Sequence, residues 1–180
     1  MKEEIVGRIS NLQGRRTSME IVEVKLGDRK YKREIVHRPD AAAAIVETHD
    51  GRFILVKQFR TPIDSEILEA VAGCVERGEE PIKAMFREIE EETGHKVTSI
   101  KHLSTFYVSP GYTDEVMHIF YAVVENQAGD QALDDDERVR VNYRTRREME
   151  NMIDCGSIVD GKTLVAWHEY IRQKCVNNWK

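Results

Sequence analysis

The segment GCVERGEEPIKAMFREIEEETGH, residues 73–95, constrains the fold of this 180-residue chain more than any other. Pro81 suits the first turn of a helix, where a backbone N–H has no partner to lose, and Gly94 suits a left-handed C-terminal cap. We therefore predict a helix over 81–93. Its apolar residues recur at i, i+3, i+4 and i+7, which is typical of a face that packs on a core. These residues are Ile82, Met85, Phe86 and Ile89.

The same helix carries Glu88, Glu91 and Glu92 on an adjacent face. Like charges at this spacing repel, at a cost of a few tenths of a kcal/mol per pair. One interpretation is a solvated acidic face, moderated by Lys83 and Arg87. The other is a site for a hard divalent cation such as Mg²⁺, which takes carboxylate oxygens as ligands. The spacing alone leaves both open.

Short β-branched runs surround the helix and predict strands. The first runs, over residues 4–37, read as an antiparallel meander, and residues 41–59 as a more buried hairpin. After the helix we predict strands, a polar loop and two closing helices. Their ranges are 97–109, 114–125 and 137–145 for the strands, 126–136 for the loop, and 146–156 and 161–175 for the helices. This order favours an α/β (α+β) domain layered around a mixed sheet.

We therefore expect an antiparallel strand subdomain at residues 1–40 and a main domain at 41–180. The net charge of −5 comes from acidic and basic residues that are mixed along the chain, so no basic stripe predicts a nucleic-acid partner. No apolar run is long enough to predict a membrane span or an export signal. Three widely spaced cysteines favour reduced thiols, and we expect a cytoplasmic protein.

The segment 73–95 resembles the box of the Nudix hydrolases in the order and spacing of its fixed residues. The matching residues are Gly73, Glu79, Arg87, Glu88, Ile89, Glu91, Glu92 and Gly94. His95 departs from the pattern, because an aliphatic residue is usual there. The resemblance implies a Nudix-type α/β/α sandwich and hydrolysis of a nucleoside diphosphate linked to another group.

The resemblance also implies roles for residues in and beside the box. Mg²⁺ or Mn²⁺ would be held by the carbonyl of Ala72 and by Glu88, Glu91 and Glu92, which places Glu91 in the catalytic set as well. Glu79 would pair with Arg87 to brace the loop against the helix. Gly73 and Gly94 would be structural.

The sequence SPGYTDE places Pro110 fifteen residues after His95, as in the ADP-ribose pyrophosphatase branch. That likeness implies cleavage of ADP-ribose to AMP and ribose 5-phosphate, and a homodimer built through the N-terminal strands. A monomer with those strands folded back is the alternative. The residues that the likeness assigns to substrate binding are Arg60, Glu69, Pro110, Gly111 and Glu115.

In similar enzymes the catalytic base lies on a loop after the strand that follows the proline motif. Here that loop is acidic, and Glu137 is the first choice, with Asp135 second and Asp136 third. Solvated loop carboxylates without a role are the alternative. Two other functions stay open: hydrolysis of another nucleoside diphosphate sugar such as GDP-mannose, and a catalytically silent nucleotide-binding module.

Overall fold

The computed structural model describes residues 2–133 and 138–177, which form two compact units. The first unit contains residues 2–40 together with 106–117, and the second contains 41–105 and the described residues from 118 onward. Segment 106–117, which the sequence analysis placed in the main domain, therefore clusters with the N-terminal strands.

The first unit is built on a three-stranded antiparallel sheet. Its strands, in sheet order, are β1 (Glu4–Gln13), β2 (Ser18–Leu26) and β3 (Arg29–His37). Gly27 takes a φ of 61° in the tight turn between β2 and β3, a conformation that glycine adopts without strain. Val22 and Val24 are buried at the centre of β2. The predicted N-terminal antiparallel meander is confirmed.

The second unit contains a seven-stranded mixed sheet with helices packed against it. The sheet runs in the order β10-β5-β4-β9-β8, with β6 paired to β5 and β7 paired to β4. Strands β8 and β9 extend into residues 106–117 of the first unit. The elements from β4 onward are β4 (Ala41–Thr48), β5 (Phe53–Arg60), a 3-10 turn (Thr61–Ile63), β6 (Ser65–Glu69), β7 (Val71–Cys74), α1 (Pro81–Thr93), β8 (His95–Tyr107), β9 (Val116–Ala128), β10 (Val139–Arg144), α2 (Arg146–Asp154) and α3 (Gly161–Asn177).

Both faces of the central strands are buried, which explains why β4 is apolar without alternation. On one face Ile54 of β5 shares a core with Met85 and Ile89 of α1. On the other face the ring of Phe53 lies 5.0 Å from Trp167 of α3, in an edge-to-face contact. Because side chains alternate along a strand, Phe53 and Ile54 serve opposite layers. The predicted layered α/β fold is confirmed.

Helix α1 has the predicted bounds but a different buried face. Ile82 and Phe86, which we expected in the core, are each 37% exposed, whereas Glu88 and Glu92 are buried at 8% and 4% exposure. The buried side of the helix therefore carries Glu88 and Glu92 beside Met85 and Ile89, in place of Ile82 and Phe86. The prediction of a core face through Ile82 and Phe86 was therefore wrong.

Some boundaries also differ from the predictions. Strand β9 continues to Ala128, so the first three residues of the predicted loop 126–136 are strand. The short strands β6 and β7 were not predicted. Cys74, Cys155 and Cys175 are free thiols, and the latter two are exposed. No helix in the described part of the chain is long and apolar enough to cross a bilayer.

Candidate active site

Helix α1 carries the glutamates of the candidate site, and its two ends fix their position. Pro81 occupies the first turn, and Gly94 closes the helix at φ 70° with its N–H donating to the carbonyl of Glu90. A side chain at position 94 would also collide with the carbonyl of Gly129. Only glycine satisfies both the left-handed conformation and the close approach.

Glu88 points from α1 toward strand β7. Its carboxylate occupies the space that a side chain on Gly73 would fill, so the glycine allows the carboxylate to lie against the backbone of the strand. Ala72, the predicted carbonyl ligand, is the neighbouring residue in β7 and pairs in register with Ala43 of β4. The structure therefore brings Ala72, Gly73 and Glu88 together.

Arg87 ties the loop before the helix to the acidic face. It donates to both carboxylate oxygens of Glu79, at 3.3 and 3.2 Å, and to the carbonyl of Cys74 at 3.2 Å. Its Nη1 lies 2.8 Å from Glu88 Oε1 and 3.1 Å from Glu91 Oε2. The expected contact between Glu79 and Arg87 is present, and Arg87 also partly neutralises two of the crowded glutamates.

The charges of this cluster shift the pKa of both bracing partners. Partial burial works to lower the pKa of Arg87, but its hydrogen bonds with Glu79 and Glu88 outweigh burial, and the net pKa is raised. The hydrogen bond from Arg87 lowers the pKa of Glu79. Both groups are therefore firmly charged near neutral pH.

The three glutamates fit a hard divalent ion by their chemistry and burial. Glu88 and Glu92 are buried carboxylates one turn apart, and Glu91 lies beside them with a half-buried side chain. Buried carboxylates require nearby positive charge, and oxygen donors of this kind suit Mg²⁺ or Mn²⁺. Among the described residues no three acidic, histidine or cysteine side chains are grouped closely enough to hold an ion as they stand, and Arg87 contacts both Glu88 and Glu91.

Arg60 and Glu69 form a bidentate ion pair in the same unit. Nε and Nη2 of Arg60 each lie 2.6 Å from a carboxylate oxygen of Glu69, whose side chain is 1% exposed. Burial works to raise the pKa of Glu69, but Arg60 and Lys162 hold it below its usual value. The side chain of Arg60 is 41% exposed, so Arg60 and not Glu69 can contact a ligand directly.

The proline loop belongs to the first unit, where backbone hydrogen bonds fix it to the end of β3. The carbonyl of Ser109 accepts from the N–H groups of Tyr112 and Thr113, closing a turn around Pro110 and Gly111. The N–H of Val36 then donates to the carbonyl of Tyr112 at 2.8 Å.

Ionic contacts add to these bonds. Arg38 Nε lies 3.4 Å from Glu115, and His37 Nδ1 lies 2.5 Å from Asp114. The loop SPGYTDE is therefore held at several points along its length.

The predicted base residues Glu137, Asp135 and Asp136 lie outside the described residues, so their roles stay predictions. Strand β10 runs from Val139 to Arg144, within the predicted range 137–145. Two residues of this region were not predicted: Lys162, which contacts Glu69, and Asp160, which contacts Lys162. An aspartate two residues before Lys162 is a recognisable cap signal for α3, but no local signal points to Glu69 as its neighbour.

Comparison with known proteins identifies the family of the chain. The model of the NUDIX domain matches residues 37–157. An ADP-ribose pyrophosphatase of Bacillus subtilis (strain 168) is 36% identical over 171 residues, covering 92% of this chain and 91% of that protein. A methanol dehydrogenase activator of Bacillus methanolicus is 37% identical over 158 residues, covering 85% and 84%.

A GDP-mannose pyrophosphatase of Yersinia enterocolitica is 34% identical over 144 residues, covering 74% of each chain. A crystal structure of an ADP compounds hydrolase matches with a TM-score of 0.80 over 97% of this chain and 95% of that one. At 19% identity, that match supports the fold alone. The domain match and the relatives together show that this chain belongs to the NUDIX family.

Proposed function

We propose that this chain hydrolyses the diphosphate bond of ADP-ribose, with Mg²⁺ or Mn²⁺, to AMP and ribose 5-phosphate. The observation that carries the proposal is the acidic face of α1, where Glu88 and Glu92 are buried and Glu88 lies in the space left by Gly73. A sequence relative named ADP-ribose pyrophosphatase supports the choice of substrate.

Each residue of the site then has a defined task. Glu88, Glu91 and Glu92, with the carbonyl of Ala72, would hold the ion. A bound divalent ion neutralises the diphosphate and polarises phosphorus toward attack by water. Arg87 keeps Glu88 and Glu91 in place, and Glu79 keeps Arg87 in place.

Arg60 contributes a guanidinium that suits phosphate oxygens, because its planar fork of donors matches their geometry. Water forms a bond to one phosphorus, the bridging P–O bond breaks, and a carboxylate takes the proton of the water. We propose Glu137 for that base, from its place in the sequence, and Asp135 as the alternative. A Glu137→Gln variant with unchanged turnover would move the role away from Glu137.

A second candidate function is hydrolysis of GDP-mannose, which the name of the Yersinia relative favours. Turnover of ADP-ribose and GDP-mannose at equal concentrations, with Mg²⁺ and with EDTA, separates the two. We expect metal-dependent release of AMP from ADP-ribose, with a kcat/KM higher than that for GDP-mannose. A higher kcat/KM for GDP-mannose would keep the chemistry and reject the substrate.

A third candidate is a regulatory module that binds nucleotide without cleaving it. The relative named as an activator of methanol dehydrogenase favours testing for it. Measurable binding of ADP-ribose without turnover in Mg²⁺ or Mn²⁺ would support this role. The clustered carboxylates argue against it, because binding alone does not require groups that repel one another.

We also propose a cytoplasmic homodimer without a nucleic-acid or membrane partner. The small N-terminal sheet exposes apolar side chains on β1, with Ile5 54%, Ile9 51% and Leu12 71% exposed. A second copy of the chain would cover them, since small sheets are marginal alone. Light scattering should give twice the chain mass, whereas the mass of one chain would favour the monomer.

A further inference from the structure

Glu69 is a charged group inside the second unit, and Arg60 is not its sole partner. Its Oε2 accepts from Nη2 of Arg60 at 2.6 Å and also from Nζ of Lys162. A buried carboxylate is stable when its lone pairs are filled by cations and hydrogen-bond donors. Lys162 therefore completes the environment that keeps Glu69 ionised and in place.

Lys162 is itself fixed by the start of α3. Its Nζ lies 3.1 Å from Asp160 Oδ1, and the other oxygen of Asp160 accepts from the backbone N–H of Thr163 at 3.0 Å. The Thr163 hydroxyl also accepts from the N–H of Ala70, at 2.7 Å. Because Ala70 follows Glu69 directly, the first turn of α3 is fastened to the strand end that carries Glu69.

The arrangement presents Arg60 in one orientation. Among the described residues, the ion-pair contacts of Arg60 lie on its Nε and Nη2 edge, which leaves Nη1 for an anionic ligand. The hydrogen bond with Glu69 raises the pKa of Arg60, and Glu69 ends β6 only three residues before Ala72 of β7. A fixed cation beside an oxygen-rich metal site suits a diphosphate.

We propose that Lys162 is a positioning residue for substrate binding: through Glu69 it holds the Arg60 guanidinium in the orientation that contacts the diphosphate. This inference rests on the proposed function. Lys162 has a side chain 15% exposed and acts behind Arg60, not on the substrate. Its loss should weaken binding of the diphosphate more than it slows the chemical step.

The test is a double-mutant cycle on the full chain with Lys162→Met and Arg60→Ala. Lys162→Met should raise KM for ADP-ribose about tenfold and change kcat by less than about twofold. In the Arg60→Ala background the same change should have no further effect, because residues that act as a unit are non-additive. Lys162→Arg, which keeps the charge, should restore part of the lost affinity.

Lys57→Met is the matched control. Lys57 lies on β5 as Arg60 does, and its Nζ pairs with Glu66 of β6 at 3.2 Å, but that pair is exposed. The control should leave KM unchanged. A merely structural role for Lys162 would lower the melting temperature and leave KM unaltered, so melting curves are recorded for every variant.

The same double-mutant cycle is repeated without turnover by measuring the dissociation constant of ADP-ribose in EDTA by calorimetry. Equal effects of Lys162→Met in both backgrounds, or an unchanged KM and dissociation constant, would overturn the inference while leaving the proposed function intact. Binding that follows the predicted cycle without any turnover would support the inference and reject hydrolysis. A wild-type chain that neither binds nor cleaves ADP-ribose would overturn both.

Discussion

The carboxylate of Glu88 occupies the position that the first atom of any side chain at residue 73 would take. Helix α1 and strand β7 therefore approach closely only because residue 73 is glycine. This contact places an acidic group against the backbone beside Ala72. The glycine at this position of the family motif is therefore required by lack of space for a side chain, and not by its backbone conformation.

Gly73→Ala should displace Glu88 and lower the free energy of unfolding by about 1–3 kcal/mol, the usual cost of overpacking. Metal-dependent turnover should fall with it, because Glu88 leaves its place. Urea denaturation and AMP release measure the two effects. Gly7→Ala is the matched strand control, since its new methyl would meet only Glu23 at an ordinary 3.9 Å. Equal effects of the two variants would contradict this explanation.

Arg87→Gln should destabilise the chain by about 1–3 kcal/mol, because Glu79, Glu88 and Glu91 lose a shared charged donor. Added Mg²⁺ or salt should stabilise this variant more than the wild type, since its carboxylates are less compensated. Lys83→Gln removes an exposed pair with Glu80 on the same helix and should change stability by less than about 1 kcal/mol. A similar loss in both variants would show that Arg87 has no special role.

The contacts of the His95 ring explain why a histidine stands where an aliphatic residue is usual. The ring is fully buried, with Nδ1 2.7 Å from the carbonyl of Glu125 and Nε2 2.8 Å from the hydroxyl of Tyr143. Because a carbonyl can only accept, Nδ1 carries the proton and Nε2 accepts from the tyrosine. The histidine thus links the end of α1 to β9 and β10.

Tyr143→Phe should cost about 1–3 kcal/mol, because it leaves a buried acceptor without its donor. His95→Leu should also destabilise the chain, but the double variant should lose less than the sum of the two. Denaturation of the four proteins gives the coupling energy, which we expect to be at least about 0.5 kcal/mol. Strictly additive losses would rule out the hydrogen bond as the connection.

His37 should make the first unit less stable as pH rises. Hydrogen bonds first with Asp114 and then with Glu20 raise the pKa of His37 above its usual value. A raised folded pKa means that the stabilisation is complete below the unfolded pKa of about 6.5 and is lost as pH rises through the folded pKa. Burial works to raise the pKa of Asp114, but its hydrogen bond with His37 outweighs burial and the net pKa is lowered. The stabilisation that Asp114 contributes is therefore lost as pH falls through its folded pKa.

Proton NMR of the His37 ring and melting curves between neutral and mildly alkaline pH test this prediction. His37→Gln should remove that part of the pH dependence. A His37 pKa at or below the usual histidine value of about 6.5 would contradict the contact with Asp114.

The sequence was sufficient for the main elements of the fold. Pro81 and Gly94 defined α1, and β-branched alternation defined most strands, because these signals are local. The buried face of α1 was not predictable from apolar spacing, since the burial of Glu88 depends on Gly73 of β7, which approaches through the tertiary fold. A glutamate on an acidic helix face is expected to be partly exposed, but Glu92 is buried, so that expectation was wrong for this residue.

The candidate site was predictable where residues are close in sequence and not where they are distant. The contact between Glu79 and Arg87 followed from the motif. Lys162 and Glu69 are 93 residues apart, and no periodicity connects them. His95 likewise could be recognised as an exception, but its partner Tyr143 lies 48 residues away.

The central claim is that the acidic face of α1 binds a divalent ion, and the most direct test is Mn²⁺ binding to the full chain by electron paramagnetic resonance. We expect saturable binding that Mg²⁺ displaces and that Glu92→Gln weakens by at least about tenfold. Glu90→Gln, an exposed change on the same helix, should have no effect. Absence of saturable binding, or equal affinity in the wild type and Glu92→Gln, would contradict the account.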